Sequence, residues 1–472
     1  MEAKQNPQSP HIVMLPPPAL LGHLIPFIEF AKRLVFQYNF SDTFVIPNDG
    51  SPINSQKALL EPLPVNSFFL SPVSIDDLPK DSGIEIRMPN IIIRSLPAIH
   101  EKLNELNKSN RISALVVDLF CPLAIDVARE FSIPAYIFFI ISATDLSLGF
   151  NLPEPESSLS EYGNVQEMVQ LAGSLTLHGS DIPDSIRDNS NDAYKWTIDL
   201  CNRYRLADGI IVNSFLELET DAFKDLQQHG SSIPPIYPVG PLIQSSSDSE
   251  TDPGSKCIEW LNQQPPRSVL YISFGSGATL SKEQFNELAL GLEMSGHRFL
   301  WVVRSPQENT VAAYFSAQRA KSPFDYLPMG FLERTKDKGL VVDSWVPQVQ
   351  ILSHGSTGGF VTQCGWNAIL ESVVNGVPVI AWPLCFEHKM NAVILTDGLK
   401  AAIRVKENEN GLVEKGHISN LVNELIEGEQ GKQVQHRMRD LMNVAANALS
   451  LDGSSTKSFV EVVQKWTGTT QC

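Results

Sequence analysis

Short apolar runs alternate with amphipathic stretches along most of this chain, the pattern of strands each followed by a helix. Residues 11–15 are wholly apolar after His11 and end at Pro16-Pro17-Pro18, so they read as a first buried strand. A turn through Ala19 to His23 follows, and then a helix is expected over 24–38. There Leu24, Ile25, Phe27, Ile28, Phe30, Ala31, Leu34 and Val35 make the apolar face, with Pro26 in the first turn. Residues 43–47 are the next strand, which completes the start of a doubly wound α/β fold. Residues 113–118 are another buried strand, and it ends in a carboxylate, Asp118. The pattern restarts after residue 244. A strand over 268–273, the turn Phe274-Gly275-Ser276-Gly277-Ala278, a helix over 280–294 and a strand over 299–303 begin a second doubly wound unit. The serine-rich stretch 244–255 between the two is the most linker-like in the chain. Residues 153–158 and 305–322 are loose and polar, the latter expected as a mobile surface insert. Residues 455–466 carry a last apolar stripe of Phe459, Val462, Val463 and Trp466.

The stretch 345–388 holds the densest chemistry. Gly358 and Gly359 precede an expected strand, 360–362. A turn, Gln363-Cys364-Gly365, then opens a helix over 366–374 that Asn375-Gly376 closes. Residues 377–383 read as the next parallel strand, with Glu387 and His388 just beyond it. N–H groups at the start of a helix lack intrahelical partners and the dipole favours negative charge there, so this geometry suits an anion. Ligands of open α/β sheets lie at the C-terminal ends of the strands. Taken singly, these glycines read as ordinary loop residues and Trp345 and Trp366 as packing residues. The joint pattern points to a phosphate-bearing ligand.

Composition narrows the classes. Hydrophobic residues make up 43% and charged residues 19%, as in globular proteins, and 472 residues allow two or three full cores. The formal charge of −17 argues against DNA or RNA as a partner. It also means that a phosphate site must be built locally, from backbone dipoles and a few side chains. The first ten residues are polar, with no apolar run of signal-peptide type, and no stretch of membrane-spanning length is apolar enough to cross a bilayer. The six cysteines show no CxxC spacing, so reduced thiols in a cytoplasmic protein are expected, with no metal site.

His23 follows the first strand and Asp118 ends another. A histidine and an aspartate at two strand ends of one sheet can act as a base and its orienter. The Asp fixes the tautomer, and the far ring nitrogen takes a proton from a hydroxyl. Gly22-His23-Leu24-Ile25-Pro26 and Val116-Val117-Asp118-Leu119-Phe120, together with the 44-residue box that begins at Trp345 and ends at His388, resemble the plant family 1 UDP-glycosyltransferases. The likeness extends over almost the whole chain and is nearest to the phenol-glucosylating branch (hydroquinone glucosyltransferase, arbutin synthase-like). It implies the GT-B arrangement, two Rossmann-like doubly wound domains facing across a cleft. The expected division is an acceptor-binding domain over 1–244, a linker over 245–256 and a UDP-sugar-binding domain over 257–454. The helix of 455–472 is expected to return to the first domain. The loops after residue 138 are expected to shape the acceptor pocket, with Ile140, Ala143, Phe150 and Leu152 as candidate lining.

The resemblance also assigns roles. His23 and Asp118 are the catalytic pair. Trp345 stacks on uracil, and Val346 and Gln348 bind its edge. Glu371 holds the ribose hydroxyls. Ser276, Gln363, Gly365, Asn367 and Ala368 surround the diphosphate, and Trp366, Glu387 and His388 meet the sugar. The implied reaction is inverting O-glycosyl transfer from a UDP-sugar co-substrate to the hydroxyl of a small apolar metabolite, such as a phenol, phenylpropanoid, terpenoid or alkaloid. It needs no metal or other cofactor, and a monomer is expected. Four departures stand out. The turn before His23 is one residue longer than the usual Pro-x-Pro-Gly-Met-Gly-His and lacks one Gly. Gln363 replaces a His and Ala368 a Ser, where two lost phosphate contacts would cost on the order of 1–3 kcal/mol each. His388 replaces the Gln of glucose-using members, and His there is associated with galactose; glucose, xylose and arabinose stay open. The departures motivate a rival reading: a protein of this fold that has lost sugar transfer and binds a metabolite or catalyses another reaction.

Overall fold

The computed structural model describes residues 9–79, 82–152, 168–171, 173, 175–244, 255–307, 322–343 and 345–468. The 153–158 stretch, nearly all of the serine-rich linker and most of the 305–322 insert lie outside them. The chain divides into two compact units. The first holds Met1–Ser174, Asp184–Gln244 and Asn447–Cys472, and the second Leu175–Pro183 and Ser245–Ala446. A short segment of the first half thus groups with the second unit. At the C-terminal end the change comes at Asn447 rather than at 455.

In the first unit β1 (His11–Leu15), β2 (Ser41–Ile46), β3 (Asn66–Phe69), β4 (Ile112–Asp118), β5 (Ala135–Phe139), β6 (Gly209–Val212) and β7 (Ile236–Pro238) form one sheet. Its order is β3-β2-β1-β4-β5-β6-β7, parallel throughout. β1 and β5 are buried along their whole length, as a sheet covered on both faces requires. The first helix, Leu21–Tyr38, turns Leu24, Phe27, Ile28, Phe30, Ala31 and Leu34 inward. It starts three residues earlier than the pattern indicates, so Pro26 lies one turn deeper and removes the N–H that would bond the carbonyl four residues back. The last helix, Ser454–Thr467, belongs to this unit. Phe459 lies 5.2 Å from Phe30 between ring centroids, Trp466 meets Tyr136 edge-on at 5.3 Å, and the Arg33 guanidinium covers Phe459 at 4.3 Å. Phe150 packs edge-on to Tyr204 and beneath Arg205, and Ile140, Ala143 and Leu152 are buried too, so these four belong to the core.

The second unit repeats the plan. β8 (Val269–Ser273), β9 (Arg298–Val302), β10 (Gly339–Val342), β11 (Thr357–Thr362), β12 (Val379–Ala381) and β13 (Ala402–Arg404) make a parallel sheet of order β10-β9-β8-β11-β12-β13. Gly358 and Gly359 lie inside β11, not in a turn before it. A Cβ on Gly358 would stand 2.3 Å from the Arg267 carbonyl oxygen, and one on Gly359 would stand 2.6 Å from a Leu425 methyl. Close backbone approach, and no phosphate turn, accounts for this pair. Tyr271, Val346, Ile351, Phe360 and Ala368 share one core cluster between the sheet and its helices. The five described cysteines are buried and free. Among the described residues no helix is long and apolar enough to cross a membrane.

Candidate active site

Strand order reverses in each unit at one place: between β1 and β4 in the first, and between β8 and β11 in the second. Diverging connections open a crevice there at the strand tips. His23 stands on the helix after β1 and Asp118 at the tip of β4, so topology sends both to the first crevice. The Nδ1 of His23 lies 2.9 Å from the Oδ2 of Asp118. Asp118 is fully buried, while the histidine side chain keeps 17% exposure. The other oxygen, Oδ1, accepts the Phe120 N–H at 2.9 Å, so the carboxylate is fixed from both sides. A carboxylate accepts, so the Nδ1 proton donates to it, and the Nε2 lone pair is left to receive a proton. The Phe120 ring stacks on the imidazole at 5.5 Å with a 26° tilt. The sequence alone gives Phe120 no role. Its place two residues after a strand-end aspartate was the available signal.

The lengthened turn resolves simply. Ala19 takes the left-handed conformation itself, at φ 59°, which a Gly would adopt without strain. Leu20 then caps the helix backbone with no side-chain bond, and its carbonyl accepts the His23 N–H at 3.1 Å. His23 is thus the third residue of a helix rather than a loop residue, and its contact with Asp118 survives the longer turn.

In the second unit the turn after β8 places Ser276 on the surface, with Gly275 at φ 72°. A Cβ at Gly275 would meet the Gln363 Nε2 at 2.4 Å, so the Gln363 amide lies across this turn. The Gln363 Oε1 accepts from the Thr362 hydroxyl at 2.9 Å. After β11, Cys364 turns the chain with φ 69°, and Gly365 caps the helix Trp366–Asn375. The first N–H groups of that helix have no intrahelical partner, which makes it an anion-binding end. The Asn391 amide holds the Cys364 carbonyl at 2.9 Å. His388 is buried, with its Nε2 3.6 Å from where a Gly365 Cβ would stand and 4.0 Å from Glu387 Oε1. Burial lowers its pKa against the opposing pull of Glu387. A neutral imidazole therefore faces the helix start.

The remaining donor candidates separate by burial. Trp345 is 57% exposed, an open aromatic face. Val346, Trp366 and Ala368 are buried, and Val346 and Ala368 sit in the core cluster. These last two can offer a ligand only backbone groups. Asn367 is half-buried on the first turn of the same helix. The side chain of Gln348 makes two bonds inside the unit. Its amide donates to Glu371 Oε2 at 2.7 Å, and its carbonyl oxygen accepts from the Tyr271 hydroxyl at 3.1 Å. Burial pushes the Glu371 carboxyl up to about 7, with the Gln348 bond acting the other way.

The chain matches the family model for UDP-glucoronosyl and UDP-glucosyl transferase over residues 237–442. It is 53% identical to the hydroquinone glucosyltransferase of Rauvolfia serpentina over 462 residues, 97% of this chain and 98% of that one. Among solved structures, UGT2 of Phytolacca americana, complexed with UDP-2fluoro-glucose and pterostilbene, superposes with a TM-score of 0.88 at 45% identity, covering 97% of this chain and all of that one. The UDP-glucosyltransferase of Polygonum tinctorium capable of glucosylating indoxyl, in complex with 3,4-dichloroaniline, reaches a TM-score of 0.90 at 43% identity and covers 98% of this chain and all of that one. These likenesses run through both doubly wound units of a GT-B fold, and the reading as a non-transferring relative is not favoured: the chain belongs to the plant family 1 UDP-glycosyltransferases and is a UDP-sugar-dependent glycosyltransferase.

Proposed function

We propose that the enzyme moves a hexose, glucose before galactose or a pentose, from its UDP-sugar to a hydroxyl of a small apolar specialised metabolite, with a phenol as the first candidate. The observation that carries this reading is the 2.9 Å contact of His23 Nδ1 with a buried carboxylate, which leaves Nε2 as the base. Nε2 takes the proton of the acceptor hydroxyl, and the oxygen attacks the anomeric carbon of a UDP-α-sugar from the face opposite UDP. The C–O bond to the diphosphate breaks and a β-glycoside forms. Asp118 steadies the imidazolium that appears. The leaving diphosphate gains negative charge at the start of the helix Trp366–Asn375, where the N–H groups, Ser276, Asn367 and Gln363 offer donors in place of a metal ion. Trp345 takes uracil, Glu371 the ribose diol, and Glu387 with His388 the sugar. Hydroquinone and indoxyl, the acceptors for which two relatives are named, support a phenol-like acceptor. The enzyme acts as a cytoplasmic monomer in this reading.

The test is UDP release from a panel of UDP-sugars against phenolic, terpenoid and alkaloid acceptors, with and without a chelator. The expected result is acceptor-dependent release that the chelator leaves intact and that is fastest with UDP-glucose and a phenol. Measurable acceptor binding with no release from any pair would sink the proposal.

Donor binding should also depend on pH. The Glu371 carboxyl of the free enzyme titrates near 7, and ribose hydroxyls donate to its ionised form. Binding then favours the carboxylate and expels a proton below that pH. UDP affinity is expected to rise through pH 7 and to fall by at most about tenfold per unit on the acid side. Glu371→Gln lacks this component. Calorimetric titration of UDP between pH 5.5 and 8.5, with buffers of different ionisation enthalpy, checks both the slope and the proton release.

A further inference from the structure

We propose that Tyr271 is a positioning residue for the donor's ribose: its hydroxyl locks the Gln348 amide so that the amide hydrogens face Glu371 and hold that carboxylate in place. The proposal rests on the reading of Glu371 as the group that receives the ribose diol.

Three links carry it. Tyr271 lies in the middle of β8, fully buried, and its ring stacks on Phe360 at 5.0 Å with an 18° tilt. For packing alone a phenylalanine would serve, and a buried hydroxyl costs stability unless it is bonded. The Tyr271 hydroxyl is bonded to a functional neighbour, the Gln348 Oε1 at 3.1 Å. A phenol can donate or accept, but a carboxylate only accepts, so the Gln348 NH2 faces Glu371 and its oxygen receives the Tyr271 hydroxyl. The NH2 then donates to Glu371 Oε2 at 2.7 Å. Glu371 Oε1 is left to receive a ligand hydroxyl. Without the phenol, Gln348 can rotate its amide, and an oxygen facing Glu371 would repel the carboxylate that the ribose needs.

The test compares UDP with 2′-deoxy-UDP, which keeps the base and the diphosphate and lacks one ribose hydroxyl. Wild-type enzyme should prefer UDP by roughly tenfold or more, because a site built to bond a hydroxyl rejects the analogue lacking it. Tyr271→Phe should narrow that ratio about threefold or more, with the affinity for 2′-deoxy-UDP held within about twofold. Gln348→Leu should narrow it as well, and adding Tyr271→Phe to Gln348→Leu should change it no further. A wild-type ratio near one overturns the ribose reading of Glu371, and this inference with it. A wild-type ratio that Tyr271→Phe leaves unchanged overturns the inference alone, as does an additive loss in the double variant. A purely structural tyrosine would weaken both nucleotides equally and leave the ratio untouched.

Discussion

His23→Ala is expected to lower turnover by about 10²–10⁴-fold, the range a positioned general base supplies, while UDP binds as tightly as before. The imidazole bonds Asp118 and stacks on Phe120, and its assigned work is proton transfer, so the loss should fall on kcat at saturating UDP-sugar. Asp118→Asn gives the sharper control. An asparagine keeps the shape and can still accept the Phe120 N–H, which Asp118 Oδ1 now receives at 2.9 Å. Its NH2 would then face His23 Nδ1, so that nitrogen must accept and the proton moves to Nε2. The ring would point its N–H, not its lone pair, at the acceptor, and the loss should approach that of His23→Ala. Initial rates with a phenolic acceptor, beside UDP titrations of each variant, check both statements. Parental kcat in His23→Ala would remove the histidine from the mechanism.

The strands were legible because a sheet covered on both faces demands unbroken apolar runs, as in β1 and β5. The start of the first helix was not. Leu20 occupies its N-cap and makes no side-chain bond, so the Ser, Thr, Asp or Asn signal that marks a helix start is missing. The Gly358-Gly359 pair resembled a turn because the reason for two glycines, the Arg267 backbone and the Leu425 side chain, lies far away in sequence. Contacts at the candidate site were unreadable for the same reason. His23 and Asp118 are 95 residues apart, and Tyr271 and Gln348 are 77 apart. Family resemblance supplied the first pair. Nothing local marks a tyrosine in an apolar strand as more than core, so the second pair emerged only when the strand order was known.

Glu219→Ala is expected to destabilise the first unit by about 3–5 kcal/mol, the scale of breaking a buried polar network. Glu219 is buried and its carboxylate collects four donors. Oε2 accepts the Ala143 N–H at 2.8 Å and the Ser214 hydroxyl at 2.5 Å, and Oε1 accepts the Thr144 N–H at 2.9 Å and the Thr144 hydroxyl at 2.8 Å. The two N–H groups open the helix Ala143–Asn151, so a residue 76 positions away finishes that helix's first turn. Alanine would leave all four donors buried without it. At 2–4 °C per kcal/mol for a unit of this size, the melting temperature should drop by roughly 10 °C, read by thermal unfolding. Glu219→Gln keeps one acceptor oxygen but turns its NH2 toward two donors, and it should lie between the alanine variant and wild type. Burial outweighs the four bonds and raises the carboxyl's pKa above the usual carboxylate value. A raised folded pKa adds stability that is fully present below the unfolded value and is lost as pH rises through the folded one. The stability gap between wild type and Glu219→Gln should therefore be widest in acid and narrow toward neutral pH. A gap that widens on raising the pH would mean that the four hydrogen bonds, and not desolvation, dominate this carboxylate.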